Sequence, residues 1–174
     1  SDYGIFKPYL DQILTFQRKY VKWLETPKAK GYDVLLDEYE PGFTQKETDA
    51  FFDTLKKKLV PFVRKVAATK PDFDTSWLSA SYPVEKQKEF VKVMCYDLDR
   101  GLMKESEHPF TLGTDTSNVR VTTHYYENMF LSAVFSAIHE MGHATYEQQC
   151  DPALDQTMSG GGASMGMHES QSRF

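Results

Sequence analysis

His139 and His143 stand four residues apart, in the order His-Glu-Met-Gly-His, and that spacing constrains the chain more than any other feature. Imidazoles at i and i+4 stand close together on one face when the backbone between them is helical, whereas on a strand they share a face but lie about 13 Å apart. The segment must therefore be helix if the two rings act together. Both could then reach one divalent ion, with Glu140 beside them placed to take a proton from the water such an ion activates. The pattern is HExxH, and it points to metal-assisted hydrolysis.

A third ligand is needed to hold a metal and leave a fourth position open. Glu147, Asp151, Asp155, His168 and Glu169 lie downstream. Glu147 continues the face of His139 and His143, but three ligands on successive turns of one helix string out along it instead of surrounding an ion. A ligand from a second helix closes the tetrahedron more easily. The run Ser159-Gly160-Gly161-Gly162 reads as a flexible turn, after which a helix bearing His168 and Glu169 can return across the first. No Lys-Ser or Lys-Thr follows those glycines, so a phosphate cradle is not indicated.

The rest of the chain reads as mainly helical. Apolar residues recur at helical spacing from Ile5 to Leu24, with Pro27 and Gly31 closing the run. A short helix is predicted over Tyr32 to Tyr39. Thr44 and Glu47 form a capping box that opens another, with Phe51, Leu55, Leu59, Phe62, Val63 and Val66 as its buried stripe. Pro61 interrupts that stripe and should kink or split the helix. Residues 70 to 82 read as a connection. Pro83 suits a first helical turn, and Phe90, Met94 and Leu98 carry that helix on to Gly101. Residues 102 to 117 are irregular and polar, and the alternation from Val119 to Thr123 predicts a short strand. The metal motif then falls in the second half of a helix from Glu127 to Gln149, with Phe130, Val134, Ile138 and Met141 facing inward. Residues 1–101 form a helical scaffold in this reading, and 102–174 the segment carrying the site.

Several classes are excluded. At 174 residues with 40% apolar and 26% charged side chains the chain can bury a core and is not disordered. A net charge of -5, with Lys56-Lys57-Lys58 as the longest basic run, gives no footing for nucleic acid. No apolar stretch is long enough to span a membrane. Cys95 and Cys150 lie far apart without CxxC spacing, so neither a disulfide framework nor a zinc knuckle is expected, and a reducing cytoplasm fits.

Five ordered segments add a further reading: YDVLLDEYEPG (32–42), HPF (108–110), NVRVTTHYYE (118–127), HEMGHATYEQQ (139–149) and HESQSRF (168–174). Together they resemble the M32 metallocarboxypeptidases. The likeness covers essentially the whole chain but only about the central third of a typical member. It implies a mainly α, zincin-like fold with a short β segment near the active site. It further implies zinc on His139, His143 and Glu169, with cobalt or manganese possible, and Glu140 as general base. His108 and Arg120 would lie toward the substrate, a peptide with a free C-terminus, and His168, beside the zinc ligand, would orient that ligand or touch substrate. A cytoplasmic enzyme, often a homodimer, is also implied. Two positions depart from the family pattern: Asn118 replaces an aspartate and His124 an arginine, removing one ion pair without touching a ligand.

The chain ends so soon after Glu169 that it is expected to be a piece of a larger protein, inactive alone, with further catalytic groups elsewhere. Three other readings stay open. The same zinc centre serves oligopeptidases and endopeptidases, a metal can stabilise a domain that never turns over, and a helical interaction module would need no metal.

Overall fold

The computed structural model describes residues 2–70, 73–94 and 96–174, and its packing divides the chain into two units, residues 1–71 and 72–174. The first unit holds helices α1 (Tyr3–Leu24), α2 (Tyr32–Tyr39) and α3 (Gln45–Ala68). Asp2 caps α1 by accepting from the Gly4 N–H at 2.8 Å. The Thr44–Glu47 capping box opens α3, with the Glu47 carboxylate accepting from the Thr44 N–H at 3.1 Å. Side chains tie the three together: the Tyr20 hydroxyl donates to Glu38 Oε1 at 2.6 Å, and Asp33 Oδ1 accepts from the Gln45 N–H at 2.7 Å.

Two expectations change here. Pro61 does not split α3, which runs unbroken past it. The apolar stripe on α3 is present in sequence but not buried: Phe51, Leu59, Phe62, Val63 and Val66 are all exposed. Helical periodicity reports which face is apolar, not whether anything lies over it. Among the described residues of this unit only Val34 is buried.

The second unit carries the core. A 3-10 turn (Ser76–Ser79) precedes α4 (Val84–Val93), and a second (Leu98–Arg100) leads into strands β1 (Gly101–Glu105), β2 (Phe110–Gly113) and β3 (Val119–Thr123). Helices α5 (Phe130–Gln148) and α6 (Met165–Arg173) follow. The sheet order is β1-β3-β2, with β1 parallel and β2 antiparallel to the central β3. Predicted β3 is confirmed, while β1 and β2 occupy a stretch read as irregular. Each is an outer strand of only four or five residues, mostly exposed, too short for its alternation to stand out, and in β2 the apolar Phe110 and Leu112 are the exposed positions. The helix before Gly101 is likewise shorter than expected and ends at Val93.

α5 packs on β3 and β2, and against α4 on another side. Its buried face is built from Ala133, Ala137, Met141 and Ala144, while Ile138, expected inside, is 46% exposed. Small side chains let the helix lie close over Val119 and Val121 of β3, and Val91 of α4 completes the cluster. α4 thus belongs with the sheet, and the division of the packing falls ahead of residue 101. At the far end of α5 the buried Gln148 donates from Nε2 to the carbonyls of Asp97 (2.9 Å) and Arg100 (3.2 Å), and Arg100 returns a bond to the Gln148 carbonyl at 2.9 Å. Cys150, just beyond, is a free thiol, and Cys95 lies outside the described residues. Among those residues no helix is long and apolar enough to cross a membrane.

Candidate metal centre

His139 and His143 project from one face of α5, their rings 4.8 Å apart and nearly perpendicular. Between them sits Gly142, and this glycine decides where α6 can lie. A Cβ placed on it would stand 2.5 Å from Ser172 Cα and 2.8 Å from the Gln171 carbonyl oxygen. Backbone meets backbone at that point. The contact brings α6 against the turn that bears both histidines, and Ser164, whose side chain accepts from the Met167 N–H at 3.2 Å, starts α6 in register.

Glu169 on α6 then faces both rings. Its Oε2 lies 3.8 Å from His139 Nε2, and its Oε1 lies 3.8 Å from His143 Nε2. One ligand atom from each of the three residues can be chosen so that all fall within 4.8 Å of one another. Tetrahedral bonds of ~2.0–2.1 Å around one ion would hold such atoms about 3.4 Å apart. The three residues fit a divalent ion after a small closure, and two imidazoles with one carboxylate leave a fourth position open. Of the other downstream candidates, neither Asp151 nor Asp155 joins this group among the described residues.

The electrostatics favour a neutral ligand. Burial, then the neighbouring His139, hold the His143 imidazole below the ordinary histidine range, against the opposing pull of Glu140 and Glu169. A ring that resists protonation keeps its lone pair for a metal. Glu140 is itself buried, and the Thr111 hydroxyl lies 2.7 Å from its Oε2 and 2.9 Å from its carbonyl oxygen, donating into that pair. β2 therefore fixes the carboxylate next to the two histidines. Arg173 donates to Glu169 Oε2 at 3.3 Å from an exposed position.

These groups line an open cleft of about 450 Å³, walled by α5, α6 and the segment from His108 to Thr111. His108 is on its wall. Arg120 is not: it is exposed on β3, with its Nε donating to Asn118 Oδ1 at 3.1 Å. His124, the other departure from the family pattern, places Nδ1 3.0 Å from the Ser106 carbonyl and packs on Tyr126. His168 turns inward, with Nδ1 3.1 Å from His143 Nδ1 and Nε2 2.5 Å from Glu147 Oε1. Thr111 and Gly142 had escaped notice in the sequence. No spacing rule singles out a threonine on an exposed strand, and a lone glycine inside a helical motif signals only that something approaches closely.

The whole chain, residues 1–174, matches the family model described as carboxypeptidase Taq (M32) metallopeptidase. The chain belongs to the M32 family. It is 44% identical over 178 residues to carboxypeptidase 1 of Bacillus subtilis, aligning 100% of this chain with 35% of that protein. Thermostable carboxypeptidase 1 of Thermus thermophilus is 36% identical, over 99% of this chain and 36% of the relative. Among solved structures, the M32 carboxypeptidase from Deinococcus radiodurans R1 superposes with a TM-score of 0.86 at 33% identity, covering 99% of this chain and 35% of that one. This M32 chain therefore spans about 35% of the length of the relatives it matches.

Proposed function

We propose that the protein containing this M32 chain is a zinc-dependent carboxypeptidase, removing single residues from the free C-terminus of peptides. The observation that carries this reading is the convergence of His139, His143 and Glu169 beside a buried Glu140 on an open cleft. A zinc ion held by those three residues would act as a Lewis acid, lowering the pKa of a water and steadying charge on the scissile carbonyl oxygen. Cobalt or manganese suits the same donor set.

Glu140 is the general base. It takes a proton from the attacking water and delivers it to the departing amine. Thr111 holds the carboxylate in place for both transfers, since its hydroxyl reaches Glu140 Oε2. β2 lies at one edge of the sheet and its residues wall the cleft, so its outer edge offers backbone groups to an extended peptide. That favours a peptide over a compact substrate. The cleft lining favours His108 over Arg120 for substrate contact. The group that binds the terminal carboxylate is assigned to parts of the full-length protein outside these residues, and the 174-residue chain alone is expected to be inactive. A cytoplasmic location and a homodimer are carried only by the family resemblance and the sparse cysteines.

The test is hydrolysis by the full-length protein of a peptide with a free C-terminus and of its C-terminal amide, each with and without chelator. Release of single residues from the free peptide only, abolished by chelator and restored by zinc, is expected. Cleavage inside the amidated peptide would make the protein an oligopeptidase or endopeptidase, and hydrolysis indifferent to chelator would end the metal reading. A metal-stabilised domain without turnover would need the open position filled by a fourth protein ligand; three converge among the described residues, and Glu140 faces the same cleft.

A further inference from the structure

Behind His143, on the side away from Glu169, three titratable side chains stand in line. Glu147 Oε1 is 2.5 Å from His168 Nε2, and His168 Nδ1 is 3.1 Å from His143 Nδ1. All three side chains are mostly covered, with relative exposures of 21%, 18% and 12% for Glu147, His168 and His143. His139 has no such partner among the described residues. Tyr146 meets the His168 ring edge-on at 4.9 Å, and Gly162 leaves room for it, since a Cβ there would drive into the imidazole. The Gly162 N–H also donates to Glu147 Oε1, at 3.3 Å.

Hydrogen counting gives this line a direction. A carboxylate that accepts from the Gly162 N–H is also the acceptor for His168, so His168 carries its proton on Nε2. In a neutral His168 the Nδ1 is then a lone pair, and the 3.1 Å contact becomes a bond when His143 donates from its own Nδ1. A neutral His143 with a proton on Nδ1 has a free lone pair on Nε2, the nitrogen that faces Glu169. The reverse arrangement needs a protonated Glu147 or a doubly protonated His168, and it leaves a hydrogen on His143 Nε2, which no metal can displace without moving a proton.

We infer that Glu147 and His168 are positioning residues, which set the tautomer and ring orientation of His143 so that Nε2 is presented to the metal. The inference rests on the metal reading above and deepens it. It accounts for His168 without a substrate: both ring nitrogens are already engaged. It also gives Glu147, which lies on the ligand face of α5 without ligating, a role that its position alone does not suggest. Outer partners of this kind are worth about 10–100-fold in metal affinity.

The experiment is zinc affinity of the full-length protein, measured by competition with a chromophoric chelator, for wild type, Glu147→Gln, His168→Ala, His168→Gln and His139→Ala. Glu147→Gln and His168→Ala should bind zinc about 10–100-fold more weakly with unchanged circular dichroism. His168→Gln, whose amide oxygen can accept from His143 Nδ1, should regain part of the loss, which a mere packing role would not predict. Wild-type affinity in both Glu147→Gln and His168→Ala overturns the inference while leaving the ligand set intact. Wild-type affinity in His139→Ala, or no zinc binding by the wild type, instead overturns the metal reading beneath it. Should a variant fail to fold, nitrogen-15 chemical shifts of the histidine rings in metal-free wild type decide. A proton on His143 Nδ1 and on His168 Nε2 supports the inference, and the opposite tautomers refute it.

Discussion

Gly142→Ala sets two effects of similar size against each other, and the structure says which wins. Alanine in a helix interior is favoured over glycine by about 1 kcal/mol. Taken alone, that predicts a more stable protein. Yet the new methyl would sit 2.5 Å from Ser172 Cα and 2.8 Å from the Gln171 carbonyl, both backbone atoms that cannot rotate aside. Carbon atoms prefer separations of ~3.5–4.0 Å, so α6 must retreat by about 1 Å. Overpacking of this kind costs ~1–3 kcal/mol, enough to cancel the propensity gain and in most of that range exceed it. The larger effect is on the site. Glu169 stands one turn from Ser172 and moves with it, stretching carboxylate–imidazole separations that are already 3.8 Å. A tetrahedral ion requires about 3.4 Å, and a gap wider by about 1 Å leaves it one ligand short. Zinc affinity should fall at least tenfold, about 1.4 kcal/mol. Chelator competition and urea unfolding of the full-length protein measure the two quantities. A Gly142→Ala protein that binds zinc like wild type and unfolds at the same or higher urea would refute the close-approach argument.

Other outcomes follow from the same geometry. Glu140→Gln should retain zinc and lose ~10²–10⁴-fold in turnover, because the amide cannot carry the proton; retention of activity would move the base elsewhere. Thr111→Val should lower turnover less than that, with metal content unchanged by atomic absorption. His143→Ala and Glu169→Ala should each abolish tight zinc binding, and an ion retained in both would dismiss the ligand set. Acidification should destabilise the metal-free protein through His143. Its folded-state imidazole is held below the ordinary value by burial, so as pH falls below about 6.5 the unfolded chain gains a proton that the folded chain resists, and stability is lost. His143→Gln should flatten that acid-side decline in urea midpoints measured with chelator present.

Much of this was legible in the sequence because helices announce themselves locally. The i, i+4 histidines, the Thr44–Glu47 box and the run from Tyr32 to Tyr39 each depend on residues within a turn or two of one another. β3, buried from Val119 to Thr123 except at Arg120, kept enough alternation to be seen. Its neighbours were not, since an outer strand such as Gly101–Glu105 takes its conformation from the backbone of Val119–Thr123 rather than from its own side-chain pattern. The third ligand shows the same limit. Spacing offered five residues and favoured the helix bearing His168 and Glu169, and the family resemblance then singled out Glu169. What places it opposite the histidines is the approach of α6 over Gly142, a contact between segments separated by a loop. Thr111 reaches Glu140 across a comparable gap, and no local rule pairs them.

The clasp between Gln148 and the Asp97–Arg100 turn is no part of the cleft lining, yet it governs what the cleft sees. A helix transmits rotation along its length, and a slip of one residue swings every side chain by about 100°. Anchoring the last turn of α5 works like the key on a shaft: it fixes the azimuth at which His139 and His143 emerge. A lesion at Gln148 should therefore register as mistuned chemistry before it registers as unfolding.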